Sequence, residues 1–430
     1  MTVEIELKFV ATPAALAALP EALSGLKVQH NETLNLINVY YDTDAGLLRS
    51  YRFGLRVRGC NDNHEMTLKS GGKVVNGIVH RPEYNIPLPD SDLNIDLFPP
   101  DVWPQGTDIS ALKSALKPLF TTNFQRQIWL VNYQQSQIEI ALDHGSISAG
   151  EQTEGIGELE LELKQGNAAD MLALAQQLAT VEGLRLGSQS KAARGYRLLS
   201  GAVPDELTEM SVLVPPAKIT VEQGLEACLE WALSQWQEYE ERWFEGNTKA
   251  QKLILRSLTA IRQILTVFGG IIPRKATAPL RERLSELEEL LGTKCSADAF
   301  CYRPDYLQLK LALMAWMMNK GWRMFVDNKS KDKLSGSFKR FADVTMSRCL
   351  SELKESFTKP LTSDGYSDRQ VRLEKQIISF YMLAGAYEQS HSLPFIHGWL
   401  RLLEPQGDRD ALRRAALEQP PFWLNSGQHI

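Results

Sequence analysis

Two hydrophobic periods divide the chain. Up to about residue 200, apolar and polar residues alternate in short runs broken by Gly, Pro, Asn and Asp, the signature of half-buried strands. The runs predict strands near 3–10, 36–42, 51–60, 64–70, 78–86, 123–132, 137–143 and 156–164. Two helices interrupt them. Thr12-Pro13 reads as an N-cap followed by proline at the first helical position, opening 13–23, and Leu172, Ala175, Leu178 and Val181 share one face of 168–181. Gly201, Pro204, Pro215 and Pro216 mark a linker. Beyond it the period becomes 3.6: Val221, Leu225, Leu229, Ala232, Trp236 and Trp243 form one stripe, Leu258, Ile261, Leu265 and Phe268 another, Leu280, Leu284, Leu287 and Leu291 a third, and Leu373, Ile377, Phe380, Ala384 and Tyr387 a fourth. The fold class predicted is α+β, an N-terminal antiparallel sheet domain with flanking helices followed by an all-α bundle of six or more helices. The boundaries are 1–202, a linker over 203–217, and 218–430.

The second faces of the strands carry the chemistry. Side chains alternate across a strand, so Val3, Ile5, Leu7 and Phe9 oppose Glu4, Glu6 and Lys8, and Leu159, Leu161 and Leu163 oppose Glu158, Glu160, Glu162 and Lys164. In Leu55-Arg56-Val57-Arg58 the arginines share a face, and Thr67-Leu68-Lys69 follows as a hairpin partner. Any one strand of this kind is what a sheet with one wet face requires. Together they sort charge by sign, carboxylates on two strands and arginines on another, and like charges on one face repel. A ligand that offsets both sets is a phosphate chain carrying a divalent cation. Closing the sheet into a barrel would turn both sets onto one inner surface. No Gly-rich phosphate loop occurs, so side chains must grip the anion, and arginine's planar fork suits phosphate oxygens.

Composition narrows the setting. At 430 residues, 43% hydrophobic and 23% charged, the chain is an ordinary globular protein long enough for two domains. Residues 1–204 hold 17 basic against 23 acidic side chains and residues 205–430 hold 30 against 29, so no nucleic-acid partner is expected. No apolar run reaches the length of a membrane span, and the charged N-terminus lacks the core of a signal peptide; a cytoplasmic protein without membrane contact is expected. Cys60, Cys228, Cys295, Cys301 and Cys349 have neither C-x-x-C nor zinc spacing and read as reduced thiols. Residues 320–348 concentrate Lys320, Arg323, Lys329, Lys331, Lys333, Lys339, Arg340 and Arg348, read first as a solvated face and second as an anion-binding surface. His391 and His397 flank a proline and carry no assignment, and Trp231, Trp236 and Trp243 read as core.

Glu4-Ile5-Glu6-Leu7-Lys8 resembles the E-x-E-x-K signature of the CYTH domain, or triphosphate tunnel metalloenzymes. The remaining elements follow in that family's order: Leu55-Arg56-Val57-Arg58, Thr67-Leu68-Lys69, Arg81-x-Glu83, Arg126, Asp143, Glu158-Leu159-Glu160-Leu161-Glu162 and Ser190-Lys191. The resemblance covers essentially all of 1–200. It implies an antiparallel barrel forming a tunnel, with one or two Mg2+ or Mn2+ ions and a triphosphate inside. Carried over residue by residue, Lys8, Arg56, Arg58, Lys69, Arg126 and Lys191 contact phosphates, and Glu4, Glu6, Asp143, Glu158 and Glu160 bind metal, with Glu4, Glu6 and Lys8 at the centre of catalysis. Glu83 and Glu162 either bind metal or orient a basic residue, and Arg81, Lys164 and Arg194 are second-rank.

The second half resembles a CHAD domain, a helical module often found behind CYTH domains. That family's name refers to histidines beside arginines on helices thought to bind polyphosphate; here no histidine lies between His144 and His391. The combination implies a metal-dependent inorganic triphosphatase that hydrolyses tripolyphosphate, with longer polyphosphate as a further partner. An adenylate cyclase or thiamine triphosphatase on the same fold, or a non-catalytic polyphosphate-binding protein, are the alternatives. Metal identity and number, chain-length preference and oligomeric state are open. No Ser/His/Asp or Cys/His set is visible, which favours direct attack by water.

Overall fold

A computed structural model describes residues 2–201, 207, 209–404 and 407–424. Of the expected linker, 203–206 and 208 lie outside the described residues, as does the domain boundary at 202. The chain forms two compact units, one of residues 1–205 with 296–319, the other of 206–295 with 320–430.

In the first unit ten strands form one sheet: β1 (Thr2–Ala11), β2 (Val28–Asp42), β3 (Gly54–Cys60), β4 (Asn63–Lys69), β5 (Lys73–Val75), β6 (Ile78–Leu88), β7 (Lys117–Tyr133), β8 (Ser136–Ala149), β9 (Gln152–Gln165) and β10 (Leu184–Leu186). Eight of them close into an antiparallel barrel in the order β1-β9-β8-β7-β2-β3-β4-β6, because residues 2–6 of β1 pair with β6 while residues 6–10 pair with β9. The strands β10 and β5 extend the sheet outside the ring, beside β1 and β6. Five helices come from the first half of the sequence: α1 (Pro13–Leu23), α2 (Leu47–Ser50), α3 (Ile109–Ala115), α4 (Ala168–Leu178) and α5 (Lys191–Ser200). Thr12 caps α1 by accepting from the Ala15 amide at 3.2 Å, with Pro13 at its first position, as the sequence predicts.

The strand alternation has a definite outcome: most of the apolar core is outside the barrel and the charged face is inside, where it shares the strands' inner faces with one apolar cluster that includes Leu36, Tyr40, Phe120, Phe124 and Tyr196. Leu7, Phe9, Leu159 and Leu161 are buried, as are Leu19 and Leu23 of α1 and Met171, Leu172 and Ala175 of α4. A second cluster, including Leu55, Val57, Met66, Leu68, Phe98 and Trp103, packs outside β3 and β4. Each fully buried side chain of this kind contributes about 1.5–3 kcal/mol, so burial outside the ring can fix the strands while the inner surface stays polar. The unit also takes in α9 (Ala297–Cys301) and α10 (Pro304–Met318), far along the sequence. The Tyr302 carbonyl accepts from the Gly183 amide, and Met314 lies against Gly77 so closely that a Cβ at that glycine, which has φ +78°, would meet its methyl at 2.7 Å.

The second unit is helical: α6 (Val221–Phe244), α7 (Ala250–Val267), α8 (Ala278–Leu291), α11 (Asn328–Leu334), α12 (Phe338–Phe357), α13 (Ser363–Leu383), α14 (Gln389–Leu400) and α15 (Arg409–Glu418). Thr220 and Gln223 form a capping box at the start of α6. Trp231, Trp236 and Trp243 are buried in it, and His391 and His397 are exposed on α14. The basic stretch 320–348 is largely paired or solvated: Lys320 meets Glu226 at 2.7 Å, Arg323 meets Glu222 at 2.7 Å, Lys339 meets Asp343 at 2.8 Å, and Lys329 and Lys331 are exposed. The segment Ala250–Gly270 is long and apolar enough to cross a membrane by length and composition alone, but 61% of that window is buried within the protein. The five cysteines are thiols.

Candidate active site

The barrel encloses a cavity of about 440 Å³, in the range of small-ligand sites. Most of its wall is charged. From β1 come Glu4, Glu6 and Lys8; from β3, Arg56 and Arg58; from β4, Lys69; from β6, Arg81 and Glu83; from β7, Arg126; from β9, Glu160, Glu162 and Lys164; and from the start of α5, Lys191. Asp143 and Glu158 are fully buried just behind this wall, and Arg194 lies behind Glu158. Segments up to 190 residues apart in sequence thus converge because alternation gives every ring strand an inward face.

A knot of buried ion pairs joins part of this wall to Asp143, Glu158 and Arg194. Arg126 donates to both oxygens of Asp143 at 2.7 and 2.6 Å and to Glu160 at 2.5 Å. The Lys191 ammonium lies 2.7 Å from Asp143, 2.5 Å from Glu158 and 3.0 Å from Glu160. Lys8 adds contacts of 3.2 Å to Glu160 and 3.6 Å to Glu158, and Arg194 grips the other oxygen of Glu158 at 2.6 Å, backed by Glu154. Burial alone would raise the Glu158 pKa; Lys191, Lys8 and Arg194 overcome it and hold the group down at about 2. Glu160 is likewise held far below its ordinary range against burial, by Lys191, Lys8 and Arg126. Lys191 is held well above the ordinary lysine value, with three carboxylates outweighing its desolvation.

This knot makes a prediction. A depressed carboxylate stabilises the fold above its unfolded pKa of 4.5 and loses that contribution as pH falls towards its folded value near 2. Lys191→Ala should cost about 3–5 kcal/mol at neutral pH, because it strips a shared cation from buried carboxylates. Its acid unfolding midpoint should also move up from the parent's. Equal stability and an unchanged acid midpoint would show that Lys191 contributes nothing to the knot.

The cavity wall itself is polarised. On one side carboxylates crowd together. Glu6 and Glu162 face each other across β1 and β9. Burial raises the Glu6 pKa; Lys8 opposes this, and Glu160 and Glu4 reinforce it. Burial also raises Glu162, with Glu4 and Glu139 adding to it, although Lys164 lies 2.8 Å away. Glu4 is held by Lys69 at 2.5 and 2.7 Å, and Lys69 also meets Glu83 at 3.2 Å. Among the described residues the Glu6 carboxylate makes no ion pair. Hard oxygen donors repelling one another in a buried cleft fit a divalent cation, which would neutralise them. A second set, Asp143, Glu158 and Glu160, places one oxygen each within 4.8 Å of the others, though those groups are already engaged by Arg126 and Lys191.

On the opposite side Arg56 and Arg58 carry positive charge into the cavity wall. Arg58 donates to the Asn38 amide oxygen at 2.8 Å, and Asn38 in turn donates to Thr122 at 2.7 Å. Arg56 lies across the strand pair from Tyr40, and its buried Nε has no partner. Among the described residues neither guanidinium has a carboxylate within salt-bridge distance. Burial, then Arg56 and Arg126, depress the Arg58 pKa to about 9; since a guanidinium stays protonated in proteins, this measures electrostatic stress that an anion would relieve. Arg49, Arg52 and Arg81 line the same cavity.

All the residues expected from the sequence to contact phosphate therefore line one cavity. Of the five expected metal ligands, Glu4, Glu6 and Glu160 line it, while Asp143 and Glu158 sit behind it. Sequence reasoning missed Asn38, Tyr40 and Asp42, although they alternate along β2 as Glu4, Glu6 and Lys8 do along β1. It also missed Arg49 and Tyr196, which depend on buried Asp42: this carboxylate accepts from the amides of Thr43, Leu48 and Arg49 at 2.7, 2.8 and 3.0 Å and from the Tyr196 hydroxyl at 2.9 Å.

A barrel with a polarised, charge-lined interior is the architecture of a tunnel protein. The CYTH domain profile matches residues 2–196 and the CHAD domain profile matches residues 227–415. The chain carries a CYTH domain followed by a CHAD domain. An inorganic triphosphatase from Haemophilus influenzae is 39% identical over 203 residues, which cover 46% of this chain and 55% of that protein. Among solved structures, the Hippeastrum protein HpAC1, described as having a dominant triphosphatase activity, is 20% identical, covering 46% of this chain and 96% of that one with a TM-score of 0.35. The CHAD domain from Ricinus communis is 15% identical, covering 49% and 79% with a TM-score of 0.36. Scores this low establish no likeness by themselves.

Proposed function

We propose that the barrel cavity is the active site of a metal-dependent inorganic triphosphatase that hydrolyses tripolyphosphate to diphosphate and phosphate. The observation that carries this reading is the polarised wall: Arg56 and Arg58 without carboxylate partners on one side, and Glu6 crowded by Glu4, Glu160 and Glu162 on the other. An extended polyanion satisfies the first and a divalent cation the second. The relative from Haemophilus influenzae supports the same activity.

In this reading Arg56 and Arg58 bind the phosphate chain, with Lys8, Lys69, Arg126 and Lys191 supplying further positive charge. Glu4, Glu6 and Glu160, joined by Glu162, hold Mg2+ or Mn2+. The cation, when bound, neutralises charge on the phosphate oxygens and sharpens a water for attack. The loose transition state asks for positioning and charge stabilisation more than covalent chemistry, and this wall supplies both. Catalysis is assigned to 1–202 and the helical module to 218–430.

A substrate without an organic group is favoured by the lining. Its aromatic members are Tyr40, Phe53 and Tyr196. Tyr40 is stacked on Phe120, Tyr196 sits edge-on to Phe120, and Phe53 packs with Tyr51 and Trp103. Tyr40 and Tyr196 are committed to Phe120, which leaves half-buried Phe53, among these three, as the ring whose face could meet a base or a thiamine ring. The test is phosphate release from tripolyphosphate, ATP, thiamine triphosphate and long-chain polyphosphate, with Mg2+, with Mn2+ and with chelator. Metal-dependent release strongly favouring tripolyphosphate is expected. Faster turnover of ATP or thiamine triphosphate would transfer the assignment to those substrates.

A further inference from the structure

Tyr40 belongs to the cavity but to none of the expected site residues. It lies on β2 directly opposite Arg56 of β3 and Phe120 of β7. Its ring stacks on Phe120 with centroids 4.7 Å apart and planes at 18°, and Phe120 meets Tyr196 edge-on at 5.2 Å. Tyr196 is anchored through its hydroxyl to buried Asp42 at 2.9 Å. The stack is tight enough that Gly195 is required beside it: a Cβ there would fall 2.2 Å from the Phe120 ring. The body of Tyr40 is consequently fixed, with 6% exposure, while its polar tip reaches the cavity.

The surroundings of that tip are one-sided. Arg56 lies directly across the strand pair from Tyr40, and the largest charges acting on the hydroxyl are those of Arg56, Lys191 and Arg58, all cations. Every one is a donor, so none can take the hydroxyl's own hydrogen. An anion entering the cavity would supply an acceptor. We propose that Tyr40 is a phosphate-contacting residue, donating its O–H to a phosphate oxygen beside the Arg56 and Arg58 guanidiniums, so that phenol and arginines face one anion. This rests on the reading of the cavity as a triphosphate site and adds a neutral donor to its cationic wall.

The acidity of the group agrees with the geometry. Burial would raise the phenol's pKa, but the charge of Arg56, together with those of Lys191 and Arg58, holds it below the ordinary value. Such a phenol is a stronger donor to an anion. Tyr196, on the far side of Phe120, is pushed the other way by burial and Asp42. One tyrosine of the stack is set up to donate into the cavity and the other to anchor the stack.

Tyr40→Phe keeps the stack and removes one oxygen. Loss of a hydrogen bond to a charged group should lower kcat/KM for tripolyphosphate roughly tenfold to a hundredfold, mostly through KM, with Tm unchanged. A second readout separates contact from structure. The phenolate absorbance of the parent minus that of Tyr40→Phe, followed against pH, should give a midpoint below the ordinary tyrosine value of about 10. Adding tripolyphosphate without metal should move it upward, because the anion neutralises the cations that depress it. A parent that binds and cleaves tripolyphosphate, with a variant matching it in KM and no movement of the midpoint, would overturn the role of Tyr40 alone. A parent that neither binds nor cleaves tripolyphosphate would overturn the functional reading and this inference together.

Discussion

Glu6→Gln should abolish metal-dependent phosphate release while leaving the protein as stable as its parent or more so. The two halves of this result have one origin. The Glu6 carboxylate is raised by burial, with Glu160 and Glu4 adding to that rise against the pull of Lys8. A carboxylate whose folded pKa lies above its unfolded one holds its proton more tightly when folded, so keeping it ionised at neutral pH costs stability. The amide has nearly the same shape and no charge, and it relieves the repulsion with Glu160 and Glu4. It also removes an anionic oxygen from the set that would hold the cation. Losing one electrostatic element of this kind costs roughly 10²–10³ in rate. Divalent metal should raise the parent's Tm, by binding the folded state, and raise that of Glu6→Gln much less. A variant that is inactive because it unfolds, or one with unaltered activity, would remove Glu6 from the site.

Arg58→Ala should weaken substrate binding without weakening the fold. Arg58 is a nearly buried cation pressed by Arg56 and Arg126, and its one recorded hydrogen bond goes to a neutral amide, Asn38. Removing it gives up no salt bridge and relieves repulsion. In the complex it would be a charge-assisted donor, and hydrogen bonds to charged groups contribute about 1.5–3 kcal/mol each, so KM should rise roughly tenfold to a hundredfold. Arg58→Lys should recover only part of this, since it restores the charge but not the planar fork. Steady-state kinetics on the three proteins with thermal melts separates the outcomes. A large drop in Tm with unchanged KM would assign Arg58 to the fold.

The contrast between Arg58 and Lys191 organises the whole cavity. Lys191, Arg126 and Lys8 are spent on Asp143, Glu158 and Glu160, whereas Arg56 and Arg58 are not. The first group gives the barrel a rigid ionic floor, and the second is available to a ligand. Residues that look alike in a motif thus differ in what their loss should do, stability in one case and affinity in the other.

Much of this was legible in the sequence because the barrel obeys the simplest rule a strand has. Where one face is apolar and the other charged, as in 3–9 and 156–164, alternation fixes which side chains turn inward, and a closed ring brings them together. What alternation cannot show is which cation meets which carboxylate. The sequence groups Glu4 and Glu160 as expected metal ligands but does not show their counter-ions; the structure sets Lys69 beside Glu4, and Lys191 and Arg126 beside Glu160. The first half of β2 was missed because Val28–Thr33 pairs with β7 while exposed, without an apolar face to signal it. The helix α5 was missed because only Lys191, Gly195 and Tyr196 of it are buried, and its role comes from distant partners such as Asp42. The stripes at 221–243 and 280–291 predicted α6 and α8, since both faced a core. The return of 296–319 to the barrel unit leaves no mark in periodicity at all.

The central claim is that the acidic and basic walls act together on one triphosphate. It is tested most directly by following tripolyphosphate with the purified protein by 31P NMR, with Mg2+ and then with excess chelator. The account predicts orthophosphate and diphosphate appearing in equal amounts with the metal, and no products with chelator. Tripolyphosphate that binds but persists unchanged with metal, or that disappears equally fast under chelator, would contradict it.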